Sequence, residues 1–151
     1  MKAHMLTPHF RELTEAECRE MLRRHHVGRL AFTFHDRVDI EPIGFVFDGQ
    51  SIVFRTSPGS KLLTIQHHPW VALEIDEATG MFDWKSVVVH GTAYRLSETG
   101  TAAEVGAYHA AISSLRTAMP GTFTPADPAP FRSAVLQLHI DVVTGRGAAT
   151  K

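Results

Sequence analysis

Within the stretch 51–61, Ser51-Ile52-Val53-Phe54-Arg55-Thr56-Ser57-Pro58-Gly59-Ser60-Lys61, two cations bracket a cluster of hydroxyls and a glycine. The pattern reads as a short strand breaking into a turn that starts a helix. Ser57 can cap that helix, Pro58 suits its first position, and Gly59 lets the backbone approach a ligand closely. Helix-start amides and the helix dipole favour an anion, and Arg55 and Lys61 add charge, so the chemistry offered is phosphate binding. The same residues also fit an ordinary capped helix with a solvated lysine.

The rest of the chain offers little competing chemistry. Ten histidines are present, in the pairs His25-His26 and His67-His68 and singly, as at His90 and His139. None has the short Cys/His spacings or helical i, i+4 pattern of a zinc motif. Both pairs fall where a helix should end, and the helix dipole accounts for them there. No metal site is expected. Cys18, the single cysteine, excludes an internal disulfide and reads as a core residue of an amphipathic helix. No Ser-His-Asp order or Cys-His pairing marks a nucleophile, so catalytic residues stay unassigned.

Composition bounds the partners. The chain has 151 residues and a formal charge of −1, which gives no electrostatic footprint for nucleic acid or an acidic membrane. No apolar run is long enough to span a bilayer, and the N-terminus lacks the apolar stretch of a signal peptide, so a cytoplasmic location is expected. The length predicts a single domain over 1–151.

The elements that must position the anion site are mostly strands. Thr14 to Glu17 forms a capping box, with Leu13 and Cys18 as a hydrophobic staple, and a short helix ends near Val27-Gly28. Period-two alternation then predicts strands from Arg29 to Phe34, Val38 to Phe47 (Pro42 marking an edge or bulge), and Ser51 to Thr56. Further strands follow over Trp70 to Asp76, Lys85 to Leu96 and Ala134 to Val142, with Glu77 to Gly80 as a loop. A helix behind Lys61 stops before Pro69. Another starts at a second capping box, Thr101 to Glu104, with Val105, Tyr108, Ile112 and Leu115 on one face. Thr122 to Pro130 reads as a loop. The fold class is therefore mainly β: a six-stranded, mostly antiparallel barrel with peripheral helices, closed so that no strand edge is left open.

Five segments in this order resemble the pyridoxamine 5′-phosphate oxidase-like, FMN-binding split-barrel superfamily, in particular the branch related to nitroimidazole-resistance reductases. They are Val27-Gly28-Arg29-Leu30, Pro42-Ile43-Gly44-Phe45-Val46, Phe54-Arg55-Thr56 with Gly59-Ser60-Lys61, the stretch 68–73 from His68 to Leu73, and the stretch 86–93 from Ser86 to Ala93. The resemblance implies a homodimer with flavin at the interface. By position, Arg55, Thr56, Ser60 and Lys61 would hold the FMN phosphate. Pro42, Ile43, Gly44 and Phe45 would run along the isoalloxazine edge, and Ser86 would reach it from the facing subunit. Trp84 shares the sidedness of Ser86 and either lines the ring or anchors the interface. Relatives often carry a polar amide near Gly44, which here has no side chain to offer. The superfamily also takes a deazaflavin coenzyme, FAD or haem, the last with a ligand such as His90.

Three functions follow from these readings. One is a flavin-dependent oxidoreductase that acts on a small molecule, with a nicotinamide or other donor. Another is a non-enzymatic carrier of flavin, deazaflavin or haem. The third is a dimeric scaffold that has lost its cofactor.

Overall fold

The computed structural model describes residues 7–150. Among the described residues the chain forms β1 (Pro8–Glu12), α1 (Glu15–Arg24), β2 (Val27–Phe34), β3 (Arg37–Phe47), β4 (Ser51–Thr56), α2 (Ser60–His67), β5 (Trp70–Gly80), β6 (Asp83–Arg95), α3 (Ala102–Ala118) and β7 (Ala134–Thr150). All strand pairings are antiparallel, in the order β1-β7-β4-β3-β2-β5-β6, and β6 pairs back onto β7. That last pairing closes β7-β4-β3-β2-β5-β6 into a ring of six strands. The expected barrel is therefore present, with β1 added on the free edge of the distal half of β7.

Two seams of the ring are short. β3 meets β4 only at Phe45–Phe47, and β2 meets β5 only at Arg29–Ala31. Pro42 lies outside the segment that β4 pairs with, so its missing N–H costs no ladder bond on that side. This fits the expected edge position.

Strand alternation sorts side chains onto two sides of the wall. Leu30, Phe32, Ile43, Phe45, Ile52, Phe54, Leu73, Val87 and Leu136 fill the barrel. Cys18, Met21 and Leu22 of α1, with Leu62 and Ile65 of α2, pack onto the same core. Residues one step out of phase, Val46, Val53 and Val135, form a second cluster outside the wall with Ala111, Ile112 and Leu115 of α3. β3 and β4 are thus sandwiched, with the barrel interior on one side and α3 on the other.

Local signals account for the helix starts. The Thr14 hydroxyl accepts the Glu17 N–H while the Glu17 carboxylate accepts the Thr14 N–H, completing the capping box. Thr101 caps α3 through the Glu104 N–H. The expected helical face of α3 is the one it turns to the sheet, and both histidine pairs lie at helix C-termini.

Several expectations need correction. α2 starts at Ser60 with Gly59 as its N-cap residue, two residues later than a cap at Ser57 would place it. Glu77 to Gly80 is no loop, because β5 runs through it, paired with Asp83 to Lys85 of β6. β7 does not stop at Val142 but continues to Thr150, since β6 flanks it up to Ala148 and β1 flanks 146–150. Strand β1 carries no strong period and was not expected; β7 alone supplies its partner edge. The N-terminal residues on which the reading of no signal peptide rests lie largely outside the described residues.

Candidate functional site

The outer faces of β3 and β4 meet the C-terminal turn of α3 and the connection that follows it, and a cavity of about 430 Å³ opens between them. Its strand wall includes Pro42, Ile43, Gly44, Phe45 and Val46, and Arg55 lies at its base. Four of the residues expected along a flavin edge therefore share one cavity with one of the two expected phosphate cations. Leu115, Ala118 and Met119 of α3 make the opposite wall, with Thr122, Ala129 and Arg132 from the α3–β7 connection. A Cβ on Gly44 would make only an ordinary contact with the His26 carbonyl, so its lack of a side chain leaves space rather than relieving a clash.

Arg55 is not free in this structure. Its two terminal nitrogens each donate to the Asp127 carboxylate at 2.7 Å, and both side chains are almost fully buried, 8% and 1% exposed. Asp127 also accepts the N–H groups of Phe123 and Ala129 at 2.9 Å. The Phe123 ring lies 4.9 Å below the guanidinium. The Arg55 guanidinium and these backbone bonds hold the Asp127 carboxyl well below the usual carboxylate range. Sequence reasoning passed over Asp127. The available signal was that it is the only ionisable residue between Arg116 and Arg132, and a lone acid in an apolar loop needs a partner.

The other expected phosphate ligands lie at the start of α2. Thr56 follows Phe54 on the inner side of β4 and is buried, opposite in facing to Arg55. Ser60 and Lys61 form the first turn of α2, where no side chain caps the helix. α1 and α3 both have threonine caps, so the contrast marks this end as open. A Cβ on Gly59 would meet nothing within 4 Å. The Lys61 ammonium donates to the Glu41 carboxylate at 2.6 Å, and Glu41 directly precedes Pro42. This pair ties the open helix start to the rim of the strand wall.

Trp84 and Ser86 lie elsewhere, on the outer face of β6. Trp84 borders a separate cavity of about 330 Å³ with Phe10, Arg11 and Arg146 and donates its indole N–H to the Met81 carbonyl at 3.1 Å. The Ser86 hydroxyl donates to Glu74 at 2.9 Å. Arg29 lies 3.7 Å from Glu74 and 3.8 Å from Asp76. Burial, assisted by the neighbouring Asp76, pushes the Glu74 carboxyl up, against the pull of Ser86 and Arg29. Within one chain, then, Trp84 and Ser86 do not join the Pro42–Phe45 cavity. Among the described residues no group of three or more His, Cys, Asp or Glu side chains could hold a metal ion.

A closed six-stranded antiparallel ring with two short seams, sandwiched at β3 and β4 by a flanking helix, defines a split-barrel protein. Residues 14–147 match the model of the pyridoxamine 5′-phosphate oxidase family, and the chain belongs to that family. It is 30% identical over 148 residues to an uncharacterized protein of Rhizobium meliloti (strain 1021), covering 91% of this chain and 95% of that one. Its fold is similar to that of a FAD-binding protein from Mesorhizobium loti, with TM-score 0.73, 24% identity, and coverage of 93% of this chain and 98% of that one. It is also similar to a proposed 5-nitroimidazole antibiotic resistance protein from Bacteroides thetaiotaomicron. That similarity has TM-score 0.73 at 13% identity and covers 99% of this chain and 96% of that one. Among the described residues no helix is long and apolar enough to cross a membrane.

Proposed function

We propose that this protein binds FMN and uses it as an oxidoreductase acting on a small molecule. The observation that carries this reading is the uncapped first turn of α2, with its open space and Lys61, joined through Glu41 to the strand wall at Pro42. A flavin presents a phosphate at one end and a polar ring edge at the other, and these two features are adjacent here in that order. The residues therefore fit the group. Ser60, Lys61, the α2 amides and the buried Thr56 hold the phosphate, with Lys61 exchanging Glu41 for it. Arg55 faces the other side of β4 from Thr56 and is bound by Asp127, so in this reading it lines the ring-side cavity rather than the phosphate site. Backbone groups from Pro42 to Phe45 meet the ring edge. When bound, the flavin supplies hydride or single-electron transfer, and the chain's own residues bind, orient and shield it.

A homodimer completes the site in this reading. Trp70 and Val142 are 67% and 52% exposed, and with Val88 they flank Glu74, Asp76 and Ser86 on the outer face of β5, β6 and β7. Pairing this face with a second copy would carry Ser86 and Trp84 to the partner's cavity. The family's chemistry and the FAD-binding description of the Mesorhizobium loti protein support a flavin, and FMN is this reading's choice because the open α2 start with Lys61 offers a place for a single phosphate.

The test is the visible spectrum of the purified protein, with mass spectrometry of any molecule released on denaturation. Flavin bands and a released mass equal to FMN are the expected result. A Soret band would replace this reading with a haem carrier, and a protein that takes up neither would refute both. Rapid mixing of the reduced holoprotein with acceptors then separates enzyme from carrier. Reoxidation faster than that of free FMN is the outcome expected of an oxidoreductase.

A further inference from the structure

The cavity between β3 and the α3–β7 connection has a second wall that no flavin contact proposed above uses. We infer that this slot takes a small, flat, apolar molecule bearing one acidic group, and that Arg132 recognises the acid. As the place where a substrate meets the flavin, the slot rests on the reading above; as a binding site it does not.

The slot's volume, about 430 Å³, is at the small end for organic ligands, so it suits a small molecule. Its shape is set by a strand face on one side and a single helical turn on the other, which favours a flat occupant. Val46, Leu115, Ala118 and Met119 give apolar walls. The charge comes out positive. Arg55 is neutralised at the base by Asp127, while Arg132 at the rim has no ion-pair partner among the described residues and lies 5.9 Å from the Phe131 ring. His26 is the remaining polar lining group, and its Nδ1 lies 3.3 Å from the Phe45 carbonyl.

The wall is also held in place before any ligand arrives. Asp127 fixes the connection to β4 through Arg55 and to itself through Phe123 and Ala129, and the Arg116 Nε donates to the Thr122 carbonyl at 2.9 Å. Such preorganisation lowers the ordering cost of binding. Asp127 is in this sense a positioning residue, acting on the slot through the loop that carries Arg132.

The experiment titrates flavin-free protein with 1-naphthoate, and in parallel with the neutral 1-naphthamide, following backbone amide NMR shifts. Saturable shifts at Gly44, Val46 and Met119 are expected, with the amide binding about tenfold more weakly than the acid. Arg132→Ala, a change at an exposed side chain, should lower naphthoate affinity by about tenfold while leaving the remaining amide spectrum unchanged. Failure to saturate, shifts confined to another part of the surface, or affinity within twofold in Arg132→Ala would each overturn the inference. FMN binding to the same sample is scored separately, so a protein that binds naphthoate but not FMN refutes the flavin reading and leaves the slot standing.

Discussion

Arg55 and Asp127, seventy-two residues apart in sequence, form a two-pronged ion pair that is almost completely buried between β4 and the α3–β7 connection. A buried pair is costly to break from one side, because the remaining charge has neither water nor partner. Replacing Asp127 with Asn keeps the shape but turns an amide N–H₂ toward a guanidinium that can only donate. The Asp127→Asn variant should therefore lose several degrees of melting temperature. Glu17→Gln, which breaks an exposed pair with Arg11, should lose much less. Thermal melts of the two variants side by side check this, and equal losses would show that the buried pair has no special weight.

The contact of α1 with the barrel end has a different acid sensitivity. Glu77 of β5 receives Arg24 at 2.7 Å and His25 at 2.8 Å, and these hydrogen bonds lower its carboxyl from the ordinary 4.5 to about 2. A carboxyl with a depressed folded-state pKa stabilises the fold fully above its ordinary value and loses that contribution as pH falls toward the depressed one. The wild type should thus lose stability between about pH 4.5 and 2 by an increment that Glu77→Gln lacks. The increment is modest because the pair is over a third exposed. Denaturant midpoints measured across this pH range for both proteins provide the comparison.

Leu22 is completely buried where α1 packs onto the barrel core. Truncation to Ala removes its transfer energy and leaves a cavity, so Leu22→Ala should destabilise the protein by about 2–5 kcal/mol in urea unfolding. A loss below about 1 kcal/mol would mean that α1 contributes little to the core.

Gly145 marks where α1 crosses β7. A Cβ there would lie 2.5 Å from the Cys18 sulfur and 2.9 Å from the Leu13 Cβ. Gly145→Ala should therefore displace α1 and reduce soluble yield or melting temperature. Gly44→Ala, where the nearest atom is 3.6 Å away, should be tolerated. A well-folded Gly145→Ala with an unchanged melting temperature would contradict the packing described for α1.

The sequence was most legible where local rules and tertiary structure agree. The Thr14 and Thr101 caps, the barrel strands and the apolar face of α3 all follow from spacing, because each residue's neighbours in sequence determine its environment. Legibility failed where a distant strand decides the outcome. The 77–80 segment is a strand because β6 pairs with it, and the glycine-containing end of β7 is a strand because β6 and β1 flank it. The site shows the same division. The 51–61 segment and the Pro42–Phe45 strand were visible as motifs. The binding of Arg55 by Asp127 and of Lys61 by Glu41 was not, since nothing local to either cation announces its partner.

Lys61 tests the phosphate assignment through its charge. Lys61→Ala should weaken FMN binding by about tenfold or more, because a charge-assisted contact is lost from a partly buried site. Riboflavin should be unaffected, as it has no phosphate to lose. Equal weakening of both ligands would indicate a general disturbance of the site.

The most direct measurement of the central claim is a fluorescence titration of the flavin-free protein with FMN and, in parallel, with riboflavin. The account predicts saturable FMN binding, with riboflavin bound at least about a hundredfold more weakly because the helix-start amides, Ser60 and Lys61 act on the phosphate. Equal affinity for the two, or no binding of either, would contradict it.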